Sequence, residues 1–321
     1  MKRFAKITLC FLLCIQMLSV TAWGRELTAV GQVVGLELQD GTVTVAAFDA
    51  NLGQTAQKAG MAVGDRILTI DGNAIHSAED IRQALASSRG TVTIRVSRED
   101  KEFTFKIDPA ITADGPKLGL YLRQGVTGIG TVTWYDPQTG TFGTLGHGVS
   151  NASGQLLNLV KGTAFETGVM SVRKGRSGEP GQLIGYAGAH TAIGTLSANT
   201  PYGVFGASES GWAGRIMKTA TWEDVKPGKA TILSTVSGSD VQEYSVEILK
   251  IYPKANQSGR NLMIRVTDQR LLDATGGIVQ GMSGSPIIQD GKLVGAVTHV
   301  LVNDPTTGYG IFIENMLDAA A

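Results

Sequence analysis

The 321 residues of the chain suffice for two domains of ordinary size, each with a sizeable core. Its 28 Lys and Arg residues balance 28 Asp and Glu residues, which argues against a nucleic-acid-binding protein and against an acidic tail. Glycine is abundant, with 42 residues, and aromatic residues make up only 6% of the chain. Together with many runs of Val, Thr and Ile, this composition predicts short strands, tight turns and a mainly β fold.

Residues 1–24 have the pattern of an export signal. Basic residues precede a long uncharged apolar stretch, and Ala22 lies where a signal peptidase site is expected. A signal peptide is the favoured interpretation, and an uncleaved membrane anchor is the alternative. We therefore expect an exported protein that is secreted or associated with a membrane. Both cysteines, Cys10 and Cys14, lie in this segment, so a processed chain has no thiol for a disulfide, a zinc site or a nucleophile.

Residues 31–107 predict a small α+β module. Apolar and polar residues alternate through 31–48 as in a half-buried strand pair, and a strand rich in Ile and Leu follows within 58–75. Residues 76–87 predict a helix that begins at an N-cap serine, and residues 91–107 predict a closing hairpin.

This module resembles a PDZ domain of the bacterial protease type. The segment "AGMAVGDRILTIDGNAI" is similar to the strand and turn signature of that family, and "VGLEL" lies where its carboxylate-binding loop is expected. The resemblance implies that backbone N–H groups near Gly35 and Leu36 bind a peptide carboxylate. The bound peptide then adds as a strand beside Leu36, Glu37 and Leu38. A PDZ-shaped spacer that binds nothing is the alternative. Two prolines among small polar residues predict that 108–118 is a linker.

The remaining residues, 119–321, predict a second unit that is rich in strands. Strand patterns alternate around turns at 119–150 and 230–253, and further strands precede a short final helix. No strong helical period is present between residues 119 and 310. A barrel or sandwich built from hairpins therefore fits this unit best.

The motif "GMSGSP" near the end of the chain offers Ser283 as a nucleophile. A serine hydroxyl is weakly nucleophilic until a neighbouring base accepts its proton, so the four histidines of the chain are the candidates. His76 lies beside the module helix, and His299, in an apolar strand, is typical of a satisfied core histidine. His190 is a rival among small residues. His147 is the preferred base, because the glycines on either side allow the backbone to bend and approach a ligand.

A carboxylate that holds the base is the usual third member of such a site, and Asp268 lies 15 positions before Ser283 at the end of a strand. Its alternative role is to cap the strand end, and Asp273 and Asp240 are possible substitutes. The backbone N–H groups of Gly281 and Ser283 form the predicted oxyanion hole. We expect no metal and no cofactor, because the sequence lacks a Cys ligand set and a His-x-x-x-His pair.

Residues 275–317 closely resemble the C-terminal signature of the stage IV sporulation protein B family, which are serine peptidases of spore-forming bacteria. Residues 128–150 and 266–272 resemble the histidine and aspartate segments of that family. The resemblance implies a membrane-targeting segment, a PDZ domain and a chymotrypsin-like β-barrel peptidase domain.

The same resemblance places the catalytic residues on His147, Asp268 and Ser283. The order His, Asp, Ser is that of chymotrypsin-like proteases, although their aspartate normally lies much further upstream of the serine. The resemblance also implies that the enzyme cleaves itself and then a membrane-embedded regulator in the space between forespore and mother cell. This cleavage activates an intramembrane protease that matures a late sporulation sigma factor. The alternative is a catalytically inactive PDZ adaptor that regulates a partner envelope protease by binding.

Overall fold

The computed structural model describes residues 24–151, 154–253 and 259–321, without the side chains of residues 187–190. The predicted export signal, both cysteines and the side chain of His190 thus lie outside the described residues. Within those residues the chain forms twenty strands and four α-helices. The mainly β fold with a small α+β module that the sequence predicts is therefore confirmed.

The elements are numbered in chain order. The helices are α1 (Gln54–Lys58), α2 (Ala78–Ser87), α3 (Gln269–Thr275) and α4 (Ile313–Ala320). The first ten strands are β1 (Glu26–Ala29), β2 (Val33–Phe48), β3 (Arg66–Ile70), β4 (Asn73–Ala74), β5 (Val92–Arg98), β6 (Lys101–Ile107), β7 (Ala110–Thr112), β8 (Gly115–Lys117), β9 (Leu120–Asp136) and β10 (Thr141–Thr144). The others are β11 (Lys161–Arg173), β12 (Gln182–Thr200), β13 (Gly203–Ala207), β14 (Arg215–Lys218), β15 (Gly228–Ser234), β16 (Gln242–Ile251), β17 (Leu262–Val266), β18 (Pro286–Gln289), β19 (Lys292–Leu301) and β20 (Asp304–Phe312).

Six strands close into a first barrel in the order β9, β10, β13, β12, β11 and β2. The barrel closes because β2 pairs with β11 on one side and with β9 on the other. Leu36 of β2, for example, lies opposite Ala164 of β11 and opposite Gly128 of β9. The interior is filled by apolar side chains that include Leu36, Val132 and Phe142. Apolar burial on the inner face therefore holds the barrel together.

A second closed barrel follows in the order β15, β16, β17, β20, β19 and β18. Its core contains the fully buried side chains of Ile232, Ile264 and Ile287. The two barrels contact each other where β9 passes the turn before β18, and the backbone N–H of Thr131 there donates a hydrogen bond to the carbonyl of Ser283. A cleft between two six-stranded barrels is thus the place where residues from both halves of the fold meet.

The α+β module has its own core beside the first barrel. Strands β3, β5 and β6 form its sheet, and α2 packs Leu85 against buried residues such as Val43, Ile67 and Ile94. Helix α2 begins at Ser77, whose hydroxyl accepts a hydrogen bond from the backbone N–H of the residue three positions later. Such an N-cap satisfies a helix N–H group that has no partner within the helix, and it sets where α2 begins.

Strands β2 and β9 run through both the first barrel and the module. Residues 33–38 of β2 pair with 126–131 of β9 in the barrel, and residues 43–48 pair with 120–124 in the module. The module is therefore an insertion between two barrel strands and does not precede the barrel. The predicted module at 31–107 differs from this arrangement because one 16-residue strand serves both units.

Residues 108–118 do not form a linker. They contain the hairpin of β7 and β8, and Leu118 is buried in the module core. Pro116 lies within β8, an edge strand, where its missing N–H leaves no ladder hydrogen bond unmade. The prolines that suggest a linker in the sequence thus belong to a hairpin, and the module continues into the start of β9.

Candidate active site

Ser283 lies in a tight turn between α3 and β18, where its side chain is half-buried. Gly281 and Gly284 adopt φ angles of 99° and 97°, a conformation that favours glycine. A side chain at Gly284 would also collide with the carbonyl oxygen of Thr131. The motif "GMSGSP" is therefore a turn that only this glycine pattern permits, and the turn holds the Ser283 hydroxyl outside the strand ladder.

Two threonines of β9 hold this turn from the first barrel. Thr131 Oγ1 donates to the carbonyl of Gly281 at 2.8 Å, and Thr133 Oγ1 donates to the carbonyl of Gly284 at 2.7 Å. Both threonines are fully buried, so these hydrogen bonds are shielded from competing water. Sequence reasoning missed both residues. The sequence signal that could have found them is a pair of polar side chains at alternate positions of a strand, with apolar residues between and beside them.

The predicted oxyanion amides are free to bind a ligand. The N–H groups of Gly281 and Ser283 donate no hydrogen bond to any residue that the structure describes, whereas the amides of Met282 and Gly284 do. Met282 N–H donates to Val279, and Gly284 N–H donates to a carbonyl of β19. Two free amides separated by one bonded amide, beside a serine hydroxyl, are the donor set that an acyl-transfer oxyanion requires.

His147 follows β10 in a second turn, where Leu145 and Gly146 both have a φ of 68°. Its Nδ1 lies 2.9 Å from the carbonyl oxygen of Gly148. Because a carbonyl only accepts, this hydrogen bond assigns the ring proton to Nδ1 and leaves the Nε2 lone pair available. Burial lowers the pKa of His147 because desolvation disfavours the imidazolium, and the hydrogen bond to Gly148 opposes this effect.

His147 and Ser283 line one cavity of about 440 Å³ between the two barrels. The Ser283 hydroxyl donates to the carbonyl of Thr298 on β19 at 2.7 Å. The hydroxyl must therefore give up this hydrogen bond before its proton can pass to the base. The structure thus brings the predicted nucleophile and the preferred base into the same pocket, with the hydroxyl held on a neighbouring strand.

His299 also lines this cavity, with its ring centroid 5.0 Å from that of His147. Its Nδ1 is buried and has no hydrogen-bond partner among the described residues. The prediction of a satisfied core histidine is therefore wrong. The pKa of His299 is lowered to about 4, mainly by burial and further by the positive charges of His147 and Arg260. His299 is thus a neutral ring in the wall of the site.

Asp268 lies elsewhere, at the N-terminus of α3. Its carboxylate accepts hydrogen bonds from the backbone N–H groups of Arg270 and Ser245 and forms an ion pair of 2.8 Å with the Arg270 side chain. The side-chain hydrogen bond from Arg270 is the main reason why the pKa of Asp268 is lowered to about 2. None of these bonds reaches His147, so the structure shows the capping role, and a catalytic role of Asp268 stays a prediction.

The possible substitutes for Asp268 do not line the cavity of the base either. Asp240 is exposed, and Asp273 accepts a hydrogen bond from Gln269 within α3. No carboxylate of the described residues lines the cavity that holds His147 and Ser283. Helix α3 and the loop after it lie between Asp268 and Ser283, so a spacing of 15 residues does not here mean adjacent strands.

Asn199 is a further residue that sequence reasoning missed. Its Oδ1 accepts from the backbone N–H of Val149, and its Nδ2 donates to the carbonyls of Val149 and Leu157, each at 2.8 Å. The segment that carries His147 is thereby tied to the end of β12. Asn199 therefore positions the base, although it does not contact the imidazole in the described bonds.

Comparison with known proteins connects this geometry to a family. The family model described as SpoIVB peptidase S55 matches residues 114–317, which is more than half of the chain. The chain belongs to the SpoIVB peptidase S55 family. The description of this family as peptidases agrees with the serine peptidase that the sequence predicts. A model described as PDZ domain matches residues 50–99, which lie within the inserted module.

Two curated proteins are similar to this S55 peptidase over part of their own length. "Putative zinc metalloprotease R01501" of Rhizobium meliloti (strain 1021) is 31% identical over 124 residues, which are 38% of this chain and 31% of that protein. A second protein of that description, from Agrobacterium fabrum, is 32% identical over 98 residues, which are 30% of this chain and 25% of that protein. The chain thus spans about a third or less of the length of these relatives.

Solved structures also match parts of the S55 peptidase. The PDZ domain of an SdrC-like protein from Listeria monocytogenes is 28% identical, with a TM-score of 0.22, and the match covers 25% of this chain and 85% of that one. The active form of the Rv3671c protease from M. tuberculosis is 17% identical, with a TM-score of 0.37, and the match covers 61% of this chain and 75% of that one.

The predicted peptide site of the PDZ domain at Gly35, Leu36, Glu37 and Leu38 is wrong. These residues of β2 pair with β9 along one edge and with β11 along the other. A strand whose two edges are already paired offers no backbone groups to an added peptide. The segment "VGLEL" resembles a binding loop because a buried barrel strand and such a loop are both rich in small and apolar residues.

The structure instead shows a groove between α2 and the start of β9. The pocket has a volume of about 510 Å³, and its apolar walls include Leu52, Ile81, Leu85, Leu118, Leu120 and Leu122. The stretch 120–124 pairs with β2 along one edge, and no strand of the described residues pairs with its other edge. Gly119, with a φ of 65°, precedes this open edge. The groove therefore has the parts that strand addition of a peptide needs.

In the part of the chain that the structure describes, no helix has both the length and the apolar character needed to cross a membrane. In those residues, no group of three or more His, Cys, Asp or Glu side chains is arranged to hold a metal ion.

Proposed function

We propose that this S55 peptidase hydrolyses protein substrates, its own chain included, through an acyl-enzyme formed on Ser283. One observation carries the proposal. The hydroxyl of Ser283, the imidazole of His147 and the free amides of Gly281 and Ser283 converge on one cavity between the barrels. A nucleophile, a base and an oxyanion hole in one pocket are together sufficient for acyl transfer.

Acylation begins when the Ser283 hydroxyl leaves the carbonyl of Thr298 and turns toward His147. Nε2 of His147 accepts the hydroxyl proton while Oγ forms a bond to the substrate carbonyl carbon, and the carbonyl electron pair moves to oxygen. The amides of Gly281 and Ser283 stabilise this oxyanion. Its collapse breaks the C–N bond, and the leaving amine takes the proton from Nε2. The depressed pKa of His147 keeps the base unprotonated near neutral pH.

Deacylation repeats these steps with water as the nucleophile. His147 accepts a proton from water, and the resulting hydroxide oxygen attacks the acyl carbon. The second oxyanion collapses and breaks the bond to Oγ, which recovers its proton from His147. The substrate is released as a carboxylic acid, and the enzyme returns to its initial state. Asn199 keeps the His147 segment in place throughout, because its three hydrogen bonds lie outside the reacting groups.

In the cell, we propose that the enzyme acts in sporulation signalling after export, in the space between forespore and mother cell. Its substrate there is a membrane-embedded regulatory protein, whose cleavage activates an intramembrane protease that matures a late sigma factor. The description of the matching family and the export pattern of residues 1–24 support this assignment. The groove beside α2 then binds a peptide segment of the enzyme or of a partner.

The decisive experiment compares Ser283→Ala with Ser285→Ala in the exported protein. Ser285 is a matched control, because it is a fully buried serine in the same turn and its hydroxyl donates to Ser234 at 3.1 Å. We expect Ser283→Ala to lose fluorophosphonate labelling and self-cleavage, and Ser285→Ala to keep substantial activity. N-terminal sequencing of the secreted species identifies the self-cleavage site.

Persistent labelling of Ser283→Ala would show that another residue is the nucleophile. Equal loss of labelling and self-cleavage in both variants would leave the choice between Ser283 and Ser285 as the nucleophile open again. The competing adaptor function predicts a different pattern, with tight peptide binding in the PDZ groove and no labelling of the wild-type protein. Measuring peptide binding and labelling on the same sample therefore separates the two functions.

A further inference from the structure

The site fixes where one substrate side chain must lie. The attacked carbonyl carbon has to lie within reach of Ser283 Oγ, while its oxygen points to the amides of Gly281 and Ser283. The side chain of the same substrate residue, here called the acyl residue, then enters the adjoining part of the cavity. This acyl pocket is lined by Ile278, Val279, Thr298 and Val300.

The acyl pocket carries no charge. No Asp, Glu, Lys or Arg side chain among the described residues lines the cavity. Its two titratable groups, His147 and His299, both have pKa values lowered by burial and are therefore neutral rings near pH 7. A charged acyl side chain would lose its hydration in this pocket without gaining a partner of opposite charge.

Ile278 forms part of the wall of the acyl pocket. Its side chain is only 3% exposed and packs against Gly308 of β20. A Cβ atom at Gly308 would lie 2.6 Å from Ile278 Cδ1, so the two residues leave no space between them. Gly308 is also the strand partner of Val300. Ile278 and Val300, which line the cavity, therefore both lie against Gly308, and the wall at Ile278 has no room to move back.

We infer that the enzyme cleaves after small and medium-sized apolar residues, with Ile278 as the residue that sets the size limit. Alanine, valine and leucine fit an uncharged pocket and gain from leaving water. Phenylalanine would require Ile278 to move into space that Gly308 occupies, and lysine or glutamate would be desolvated without a partner. This inference rests on the proposed function, because it requires Ser283 to be the nucleophile.

The test uses peptides built on the self-cleavage sequence that differ only at the acyl residue, which is Ala, Val, Leu, Phe, Lys or Glu. With the wild-type enzyme we expect kcat/KM for the best of Ala, Val and Leu to exceed that for Phe, Lys and Glu by about 10- to 200-fold. This panel needs no variant, so it remains informative if a substitution prevents folding. Equal cleavage after Lys or Glu and after Val would overturn the inference.

The role of Ile278 is tested by enlarging the pocket. Ile278→Ala should raise the ratio of kcat/KM for Phe to that for Val by about 10-fold, because it removes part of this wall. Ile278→Val removes a single methylene and serves if the alanine variant does not fold. Ile216→Ala is the matched control, since Ile216 of β14 is 71% exposed and lies outside the cavity. A folded Ile278→Ala enzyme with an unchanged ratio would refute the size limit.

Fluorophosphonate labelling distinguishes a failure of this inference from a failure of the proposed function. If Ser283 is not labelled and no peptide is cleaved, the proposed function itself is wrong. If Ser283 is labelled and cleavage shows no preference at the acyl residue, only the inference about the acyl pocket is wrong. The labelled fraction also gives the concentration of active sites, so that kcat values of the variants are comparable.

Discussion

Thr131 Oγ1 donates a hydrogen bond of 2.8 Å to the carbonyl of Gly281, although 150 positions separate the two residues. Gly281 also carries one of the two free amides of the proposed oxyanion hole. Strand β9 of the first barrel therefore orients a proposed catalytic group of the second barrel. The same strand begins at Leu120 in the wall of the PDZ groove. One continuous strand thus connects the groove to the nucleophile turn.

Replacing Thr131 by valine should impair the oxyanion hole while the serine and the base remain in place. The substitution preserves the shape of the side chain but leaves the buried carbonyl of Gly281 without this donor. We expect the free energy of unfolding to fall by about 1 to 3 kcal/mol. Misplacement of the Gly281 amide should lower kcat by about 10- to 100-fold. Denaturant titration and peptide hydrolysis measure the two effects.

Thr127→Val is the control for this substitution. Thr127 is an exposed residue of the same strand, so the same chemical change there removes no buried hydrogen bond. We expect its stability and kcat to match those of the wild-type enzyme. If Thr131→Val kept the full kcat at a reduced stability, the hydrogen bond would be structural and would not position the oxyanion hole.

The pH dependence of kcat/KM should reflect the burial of His147. The base must be neutral to accept a proton, so activity is lost as the pH falls through its pKa. Because burial lowers this pKa from the ordinary value of 6.5, the loss should occur at a lower pH than for an exposed histidine. A pH profile of peptide hydrolysis measures the midpoint of this loss.

Two other titratable groups help to assign this acid limb. The pKa of His299 is about 4 and that of Asp268 is about 2, so both are expected to titrate at the acid end of the profile. A midpoint at or above pH 7 would contradict the environment that the structure gives His147. His299→Phe offers a further check: His299 is neutral in the range where His147 titrates, and burial together with the hydrogen bond to Gly148 sets the pKa of His147, so the midpoint should stay where it is.

The proposed nucleophile and base can be picked out in the sequence because each has a local signature. Ser283 lies in a turn that requires glycines, and His147 lies between two glycines. The sequence itself therefore indicates the backbone conformation at both residues. Thr131 and Asn199 were not predictable in this way. Their partners, Gly281 and Val149, lie far from them along the chain, and only the closed barrel brings each pair together.

Asp268→Ala should act on stability through the N-terminus of α3. The aspartate caps the helix and pairs with Arg270, and loss of an N-cap side chain costs about 0.5 to 2 kcal/mol. Asp268→Asn keeps an oxygen that can accept from the backbone N–H of Arg270, so it should recover part of the loss. Denaturant unfolding of both variants measures the difference, and labelling of Ser283 reports whether the site remains assembled.

A catalytic role for Asp268 would produce the opposite pattern. If the carboxylate supported His147 in the working enzyme, Asp268→Asn would lower kcat by about 10⁴-fold while stability changed little. That result would require α3 to move relative to this structure. The capping arrangement instead predicts that kcat per labelled site stays within a small factor of the wild-type value.

The PDZ boundary was hard to predict for a physical reason. Residues 33–48 form a single strand with one alternating pattern, although the first part lies in the barrel and the last part lies in the module. The Asp40-Gly41 pair lies where one unit ends and the other begins, and Gly41 has a φ of 72°, but the chain stays in one strand there instead of turning back. The fold class and the module helix were predicted correctly, because those depend on local patterns.

The insertion can be tested by excising the module. Leu38 and Val126 are strand partners, so Gln39 and Gly125 lie at the point where β2 and β9 leave the barrel. Replacing residues 40–124 by Asn-Gly should close a two-residue hairpin between them. We expect a folded double barrel whose Ser283 is still labelled by fluorophosphonate, with peptide binding to the groove abolished. Circular dichroism and labelling measure folding and site assembly.

Deleting residues 31–107 is the matched control, because it removes a similar length of chain but also takes away Val33 to Leu38. These residues form the barrel strand between β9 and β11, and their loss opens the first barrel and exposes its core. We expect this variant to be unfolded and unlabelled. If it folded and reacted like the hairpin variant, β2 would not be a barrel strand, and the PDZ domain would precede the peptidase after all.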